Sequence, residues 1–277
     1  MKNLKSFGFN TKNSTYTIAE IGINHNGNFD LAKQLIQSAS NAGADAVKFQ
    51  TYITEKRVSK DSPIYEILKK CEFDFDIFSK LKSFAEKLNL DFFSTPFDID
   101  SVDYLESIKV PLYKIASFDT VNKNFLKRIS LVNKPIIISV GMTNLEEIKN
   151  AISILNKNNS RLAILHCISS YPTEEKNSNL KAIEILKNNF GSFIIGQSDH
   201  TNDIKVPIYA VCAGAQIIEK HFKIDESMEC VDSSVSITQK QFENMVTEIR
   251  TIEEIFGNGK LGVRESEKGL TNYRRFS

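Results

Sequence analysis

At 277 residues, with 41% hydrophobic and 25% charged side chains, the chain has the composition of a soluble globule with a large core, within the span of one barrel domain. Thirty-five Lys and Arg against 34 Asp and Glu leave a formal charge of +1, which excludes the broad basic footprint of a nucleic-acid binder. No CxxC pair joins Cys71, Cys167, Cys212 and Cys230, and neither a signal peptide nor a membrane span is visible, so free buried thiols in a cytoplasmic protein are expected.

Short β-rich runs alternate with helical patterns. "YTIAEIG" (Tyr16 to Gly22) comes first, followed by a helix in which Leu31, Leu35, Ile36 and Ala39 share one face and Gly43 supplies a stop. "DAVKFQT" (Asp45 to Thr51), "LDFFST" (Leu90 to Thr95), "LYKIAS" (Leu112 to Ser117) and "PIIISVG" (Pro135 to Gly141) continue the series. A helix capped by Asn144 leads to "RLAILHC" (Arg161 to Cys167), then "SFIIGQS" (Ser192 to Ser198) and "QIIEKHF" (Gln216 to Phe222). Thr238 opens a long last helix.

Strand and helix repeated eight times is the order of an α/β fold of the (β/α)₈ TIM-barrel kind, in a single domain. An open doubly wound sheet is the runner-up, weakened because no GxGxxG follows the first strand. The tail from Asn258 loses periodicity and collects charge, as a surface extension does.

In such a barrel the active site lies at the C-terminal strand ends. Those ends carry Glu20; Lys48 and Gln50; Ser94 and Thr95; Lys114 and Ser117; Ser139; His166; Ser198 and His200; and Glu219, Lys220 and His221. Taken singly, each is also explained by a strand turning polar as it meets a loop. His166 reads most simply as a hydrogen-bonded core residue, and His25 in "NHNGN" as loop closure or capping. The set is harder to explain that way. Two lysines inside barrel strands need anionic partners. Glu20 would serve for one of them, whereas two lysines with several hydroxyls fit a phosphate plus a carboxylate better. His200 and His221, on adjacent strand ends, suit one divalent ion and leave coordination places for water and substrate.

"AEIGINHNG", "GADAVKFQT", "STPFD", "YKIAS", "GQSDHT" and "IEKHF", in this order, resemble the bacterial sialic acid synthase family. The resemblance spans about Tyr16 to Phe256 and implies condensation of phosphoenolpyruvate with an N-acylated hexosamine aldehyde, such as N-acetylmannosamine, to give a nonulosonic acid. Carried over by position, it implies His200 and His221 as ligands of a divalent metal, typically Mn²⁺, with Mg²⁺ or Co²⁺ as alternatives. Lys48, Thr95, Lys114, Ser117 and Ser198 would surround phosphoenolpyruvate. Glu20, Tyr171 and Asp232 would face the sugar, with Gln50 nearby. Glu20 or Asp232 would act as base or orient the sugar hydroxyls, and Lys48 would position the enol.

The family continues into an antifreeze-like domain that crosses to the partner in a homodimer. The expected layout here is a barrel over residues 1–260 and an extension or linker start over 261–277, with that domain absent. The segment after strand two is shorter than the family's, and Ser233 and Ser169 stand where histidine and asparagine are common. Small-molecule substrates are the expected partners, with neither nucleic acid nor membrane. The alternatives are a non-catalytic or partial sugar- or phosphate-binding barrel, and another metal-dependent aldolase or isomerase on the same fold.

Overall fold

A computed structural model describes residues 3–156 and 161–275. After a 3₁₀ turn (Leu4–Phe7), the chain runs β1 (Tyr16–Gly22), α1 (Phe29–Asn41), β2 (Ala46–Thr51), α2 (Thr54–Arg57), α3 (Tyr65–Cys71), α4 (Phe75–Lys87), β3 (Asp91–Pro96) and α5 (Ile99–Ser107). It continues through β4 (Tyr113–Ile115), α6 (Lys123–Ile129), β5 (Ile136–Ser139), α7 (Leu145–Leu155), β6 (Leu162–Cys167), α8 (Lys181–Asn189), β7 (Ile194–Asp199), α9 (Lys205–Cys212) and β8 (Ile217–Lys223). A two-residue β9 (Ile237–Thr238) precedes α10 (Gln239–Phe256), and a 3₁₀ segment (Glu265–Tyr273) ends the described chain.

Each strand from β1 to β8 pairs in parallel with the next, and β1 also pairs with β8, so eight strands close into a (β/α)₈ barrel. The strands are buried on both faces, and polar residues such as Lys48 and Glu219 fall toward the C-terminal mouth. Inside the barrel, Ile18, Phe93, Leu112, Ile137, Leu165, Ile194 and Ile217 form one cluster that Leu4 and Phe9 extend. Outside, Ala19, Val47, Ile138, Ile164, Ile218 and Phe222 pack against the helices. Gly196 is needed where two strands crowd: a Cβ there would stand 2.4 Å from the Ile217 carbonyl oxygen and 2.7 Å from Leu165 Cδ2.

Capping fixes where the helices begin. Asn28 accepts from the Leu31 amide, and both α7 (Asn144 with Glu147) and α10 (Thr238 with Gln241) open on capping boxes. Leu35, Ile36 and Ala39 are buried as the helical spacing requires, whereas Leu31 is half-buried. All four cysteines are free, but only Cys71 and Cys167 are buried; Cys212, the last residue of α9, is exposed, and Cys230, in the loop after β8, is intermediate.

Two loops rise above the C-terminal mouth. In the first, α2 and α3 follow β2, and Leu68 and Cys71 pack against Ile23 and Tyr52. The second follows β8 and is tied down by Asn24, which donates to the Phe222 carbonyl and Ser236 Oγ and accepts from the Asp232 amide. The tail is exposed through Leu261, Val263, Leu270 and Tyr273, as a surface extension would be; positions 276 and 277 lie outside the described residues. Among the described residues no helix is long and apolar enough to cross a membrane.

Candidate active site

A cavity of about 420 Å³ opens at the C-terminal mouth. It is lined by Glu20, Lys48, Gln50, Thr95, Ser117, Tyr171, Ser198, His200, His221 and Asp232, ten of the eleven site residues expected from sequence. Strand alternation aims them there: Ser198 and His200 share one face of β7 and its extension, and Glu219 and His221 share one face of β8. The eleventh, Lys114, is buried (3% exposed) and is not among the lining residues; its ammonium meets Glu219 Oε1 at 3.2 Å.

The expected anion partners of the lysines are supplied within the chain. Lys48 Nζ lies 2.8 Å from Glu20 Oε2 and 3.6 Å from Glu219 Oε1, and it donates to Thr95 Oγ1 at 3.0 Å. Burial of the lysines therefore does not by itself require a bound phosphate. Glu219, visible in the sequence only as one of many polar strand ends, is the hub: it also accepts from Ser198 Oγ at 3.0 Å. Burial would raise the Glu219 carboxyl, but Lys114 and Lys48 hold it below its ordinary value. Glu20 differs, because burial outweighs the attraction of Lys48 and pushes its carboxyl up to about 7. Burial disfavours charge on both lysines; Glu20 and Glu219 overcome this at Lys48, whereas Lys114 remains lowered. Near neutral pH, protonation of Glu20 leaves two ammoniums facing one carboxylate, an arrangement receptive to an anion.

Apart from Glu20 Oε2, which is ion-paired with Lys48, three buried polar atoms around this network have no hydrogen-bond partner among the described residues: Ser139 Oγ, Glu219 Oε2 and His221 Nδ1. Buried polar groups are ordinarily satisfied, so three unmet ones lining one cavity mark a place for a ligand.

The two histidines end adjacent strands, with ring centroids 5.4 Å apart. Hydrogen bonding between His200 Nδ1 and the Ile168 carbonyl at 2.7 Å makes Nδ1 the donor and leaves Nε2 free to ligate. Burial lowers the pKa of both histidines, and at His221 the neighbouring His200 and lysines lower it further, so both are neutral imidazoles. His221 Nδ1 lies 3.5 Å from Asp232 Oδ2. The Asp232 carboxyl is pushed up to about 6 by burial, against the pull of Arg57 and Lys48. Neutral imidazoles with an unmet nitrogen and a nearby carboxylate fit a divalent ion. Among the described residues no group of three His, Cys, Asp or Glu is gathered as a self-sufficient metal cluster, so the protein would supply part of the coordination sphere.

Tyr171 leans over the pair, its ring 4.0 Å from that of His200. Gly22 and Gly141 keep the floor open. A Cβ on Gly22, whose φ is +55°, would stand 3.2 Å from Glu20 Oε1, and one on Gly141 would stand 2.4 Å from Ser169 Oγ. Sequence reading missed Arg57, on α2. Its guanidinium lies 3.7 Å from the Phe97 ring centroid and 4.6 Å from that of Tyr52, and it donates to Gln50 Oε1 at 2.9 Å. Among the described residues no carboxylate pairs with it. No periodicity marks a loop residue, so nothing in the sequence singled it out.

His25 and His166 follow the simpler readings. His25 is buried outside the cavity, its Nδ1 accepting from the Gly27 amide at 3.1 Å, and His166 Nε2 is hydrogen-bonded with the Ser178 carbonyl at 2.7 Å. Gly27, with φ +76°, is required because a Cβ would meet the Lys70 carbonyl oxygen at 2.2 Å. A second crevice of about 780 Å³ lies over α7 and α8, lined by residues such as Met142, Leu145 and Ile185, and contains none of the predicted site residues.

A closed (β/α)₈ barrel with ion-paired lysines, hydroxyls and two neutral histidines converging at its C-terminal mouth defines a TIM-barrel enzyme. Residues 35–261 match the NeuB family model. The chain is 38% identical over 280 residues to the N,N'-diacetyllegionaminic acid synthase of Campylobacter jejuni, covering 95% of this chain and 84% of that protein. It is 34% identical to a Campylobacter jejuni pseudaminic acid synthase, covering 95% and 80%. The N-acetylneuraminic acid (sialic acid) synthetase of Leptospira borgpetersenii, solved in complex with citrate, superposes with a TM-score of 0.90 at 39% identity, covering 94% of this chain and 91% of that one. The chain belongs to the NeuB family.

Proposed function

We propose that this enzyme condenses phosphoenolpyruvate with the open-chain aldehyde of an N-acylated hexosamine, N-acetylmannosamine or a related amino sugar, to give a nonulosonic acid and inorganic phosphate. The observation that carries this reading is the group of unmet polar atoms, Ser139 Oγ, Glu219 Oε2 and His221 Nδ1, that line one cavity together with Lys48, while Lys114 is paired with Glu219 outside the lining. The names of the similar synthases support the product class.

In this reading Lys48, with Thr95, Ser117 and Ser198, holds the phosphate and carboxylate of phosphoenolpyruvate, and Lys114 steadies Glu219 beneath them. Positioning of this kind contributes several kcal/mol in favourable cases, roughly. C3 of the enol forms a bond to the aldehyde carbon, water adds at C2, and cleavage of the C–O bond releases phosphate. His200 and His221 would hold a divalent ion (manganese by resemblance, with magnesium or cobalt in its place), which would supply Lewis-acid polarisation to the aldehyde. Glu20, with its raised pKa, exchanges a proton near neutral pH and is suited to act as a general base or acid. Asp232, beside His221, and Gln50, which accepts from Arg57, orient the sugar.

The test is phosphate release from phosphoenolpyruvate by metal-loaded protein across a panel of N-acylated hexosamines. Release that needs both sugar and metal, and is lost in His221→Ala, supports the reading. Release without any sugar, or none with every sugar despite bound phosphoenolpyruvate, contradicts it.

A further inference from the structure

Directly behind the two histidines, on the opposite strand faces, lies a buried charge pair that takes no direct part in the proposed chemistry. Asp199 and Lys220 are register partners on β7 and β8, each one residue before a histidine. Both are buried (3% and 0% exposed), and Lys220 Nζ lies 2.7 Å from Asp199 Oδ2. The alternation that turns His200 and His221 into the cavity turns these two toward the helical layer, where Ile218 and Phe222 are packed.

The pair is bonded further in a way that binds the two strand ends together. Lys220 also donates to the carbonyl of Thr201, the residue after His200. Thr201 donates through Oγ1 to Asp199 Oδ2 at 2.6 Å and through its amide at 3.2 Å, and Gln197 Nε2 reaches Asp199 Oδ1 at 3.3 Å. The backbone on both sides of His200 is thus tied to the residue preceding His221. His200 itself is held from the β6 loop, its carbonyl accepting from the Thr173 amide at 2.9 Å.

A buried ion pair is a poor source of net stability, since desolvation offsets the attraction and an apolar pair of similar volume serves as well. What it provides that an apolar pair would not is a fixed register, through directional bonds. We infer that Asp199, Lys220 and Thr201 are positioning residues that set the spacing of His200 and His221 and so the divalent-metal affinity of the site. This rests on the proposed metal role of the two histidines.

The test is Mn²⁺ binding to the full chain without substrates, followed by electron paramagnetic resonance and calorimetry, with folding checked by circular dichroism. Lys220→Met and Thr201→Val should weaken Mn²⁺ binding at least tenfold, roughly what loss of outer-shell partners costs elsewhere. Thr201→Ser, which keeps the hydroxyl, should bind within about twofold of wild type by the same reasoning. Arg250→Met, which removes a comparable network with Asp45 and Glu253 away from the mouth, should lower stability without changing Mn²⁺ affinity. Wild-type affinity in folded Lys220→Met and Thr201→Val would overturn the inference; if Lys220→Met does not fold, the Thr201 pair decides. If the wild type binds no Mn²⁺, the metal reading falls. The positioning role is then judged from the ring-nitrogen NMR signals of His200 and His221: altered signals in Thr201→Val but not Thr201→Ser sustain it, and unaltered ones overturn it.

Discussion

Lys114→Met separates a charge network from a merely packed interior. In the wild type, Lys48 and Lys114 face Glu20 and Glu219, with contacts of 2.8, 3.6 and 3.2 Å. Removing Lys114 leaves one ammonium between two buried carboxylates. Breaking a buried pair by deleting one partner costs about 3–5 kcal/mol, because the remaining charge is uncompensated. For a chain of 277 residues that corresponds to a fall in melting temperature of roughly 5–9 °C. Lys114→Met with Glu219→Gln restores one cation to one anion and should recover more than half of the loss. The penalty also depends on pH. The Glu20 carboxyl sits at about 7 in the folded chain, above its ordinary value of 4.5. At pH 6 it takes up a proton and relieves the single variant; at pH 8.5 it remains charged and the variant is at its weakest. Urea titrations and calorimetry of both variants at the two pH values measure this. A double variant as unstable as the sum of the singles, or a penalty independent of pH, would refute the network.

Three further outcomes follow from other parts of the molecule. Burial holds His25 at about 3, below its ordinary 6.5, so the stability it contributes is full above pH 6.5 and is lost as pH falls toward 3. At about 1.4 kcal/mol per unit this reaches roughly 4–5 kcal/mol at most, and the acid loss measured by urea titration should be shallower in His25→Gln than in wild type. Gly196→Ala drives a Cβ onto the Ile217 carbonyl and Leu165 and should cost about 3 kcal/mol, whereas Gly269→Ala, with nothing within 4 Å, should be neutral in the same denaturation assay. Arg57→Met removes the guanidinium beside Gln50 and should raise KM for the sugar roughly 10- to 100-fold, the worth of a charged hydrogen bond, with KM for phosphoenolpyruvate little changed. An equal rise in both KM values would refute a sugar-selective role for Arg57.

The barrel was legible because its strands, covered on both faces, are short β-rich runs that open apolar and turn polar toward the mouth. The first strand, Tyr16–Gly22, needed no adjustment, and the other seven differed by a residue or two at their ends, where pairing rather than residue type decides the limit. The contents of the mouth were legible for the same reason, since parity along a strand tells which residues share a face. What the sequence withheld depends on closure and on loops. Lys114 on β4 meets Glu219 on β8 across the barrel, a contact that no local pattern encodes. Arg57 sits on a four-residue helix with no period to read. The histidine and asparagines of "NHNGN" proved to be scaffold: Asn24 anchors the loop bearing Asp232, Asn26 donates to the Glu229 carbonyl, Asn28 caps α1, and His25 stacks on Phe73 at 4.0 Å.

In the proposed reaction, carbon–carbon bond formation and phosphate release are one event in this cavity. This is tested most directly by incubating metal-loaded enzyme with phosphoenolpyruvate and the most active N-acylated hexosamine, then quantifying phosphate and the nine-carbon acid by NMR and mass spectrometry. Equal amounts of the two are expected, both abolished by chelation and by His221→Ala. Phosphate released without the nine-carbon acid, or the acid formed without loss of phosphate, would contradict it.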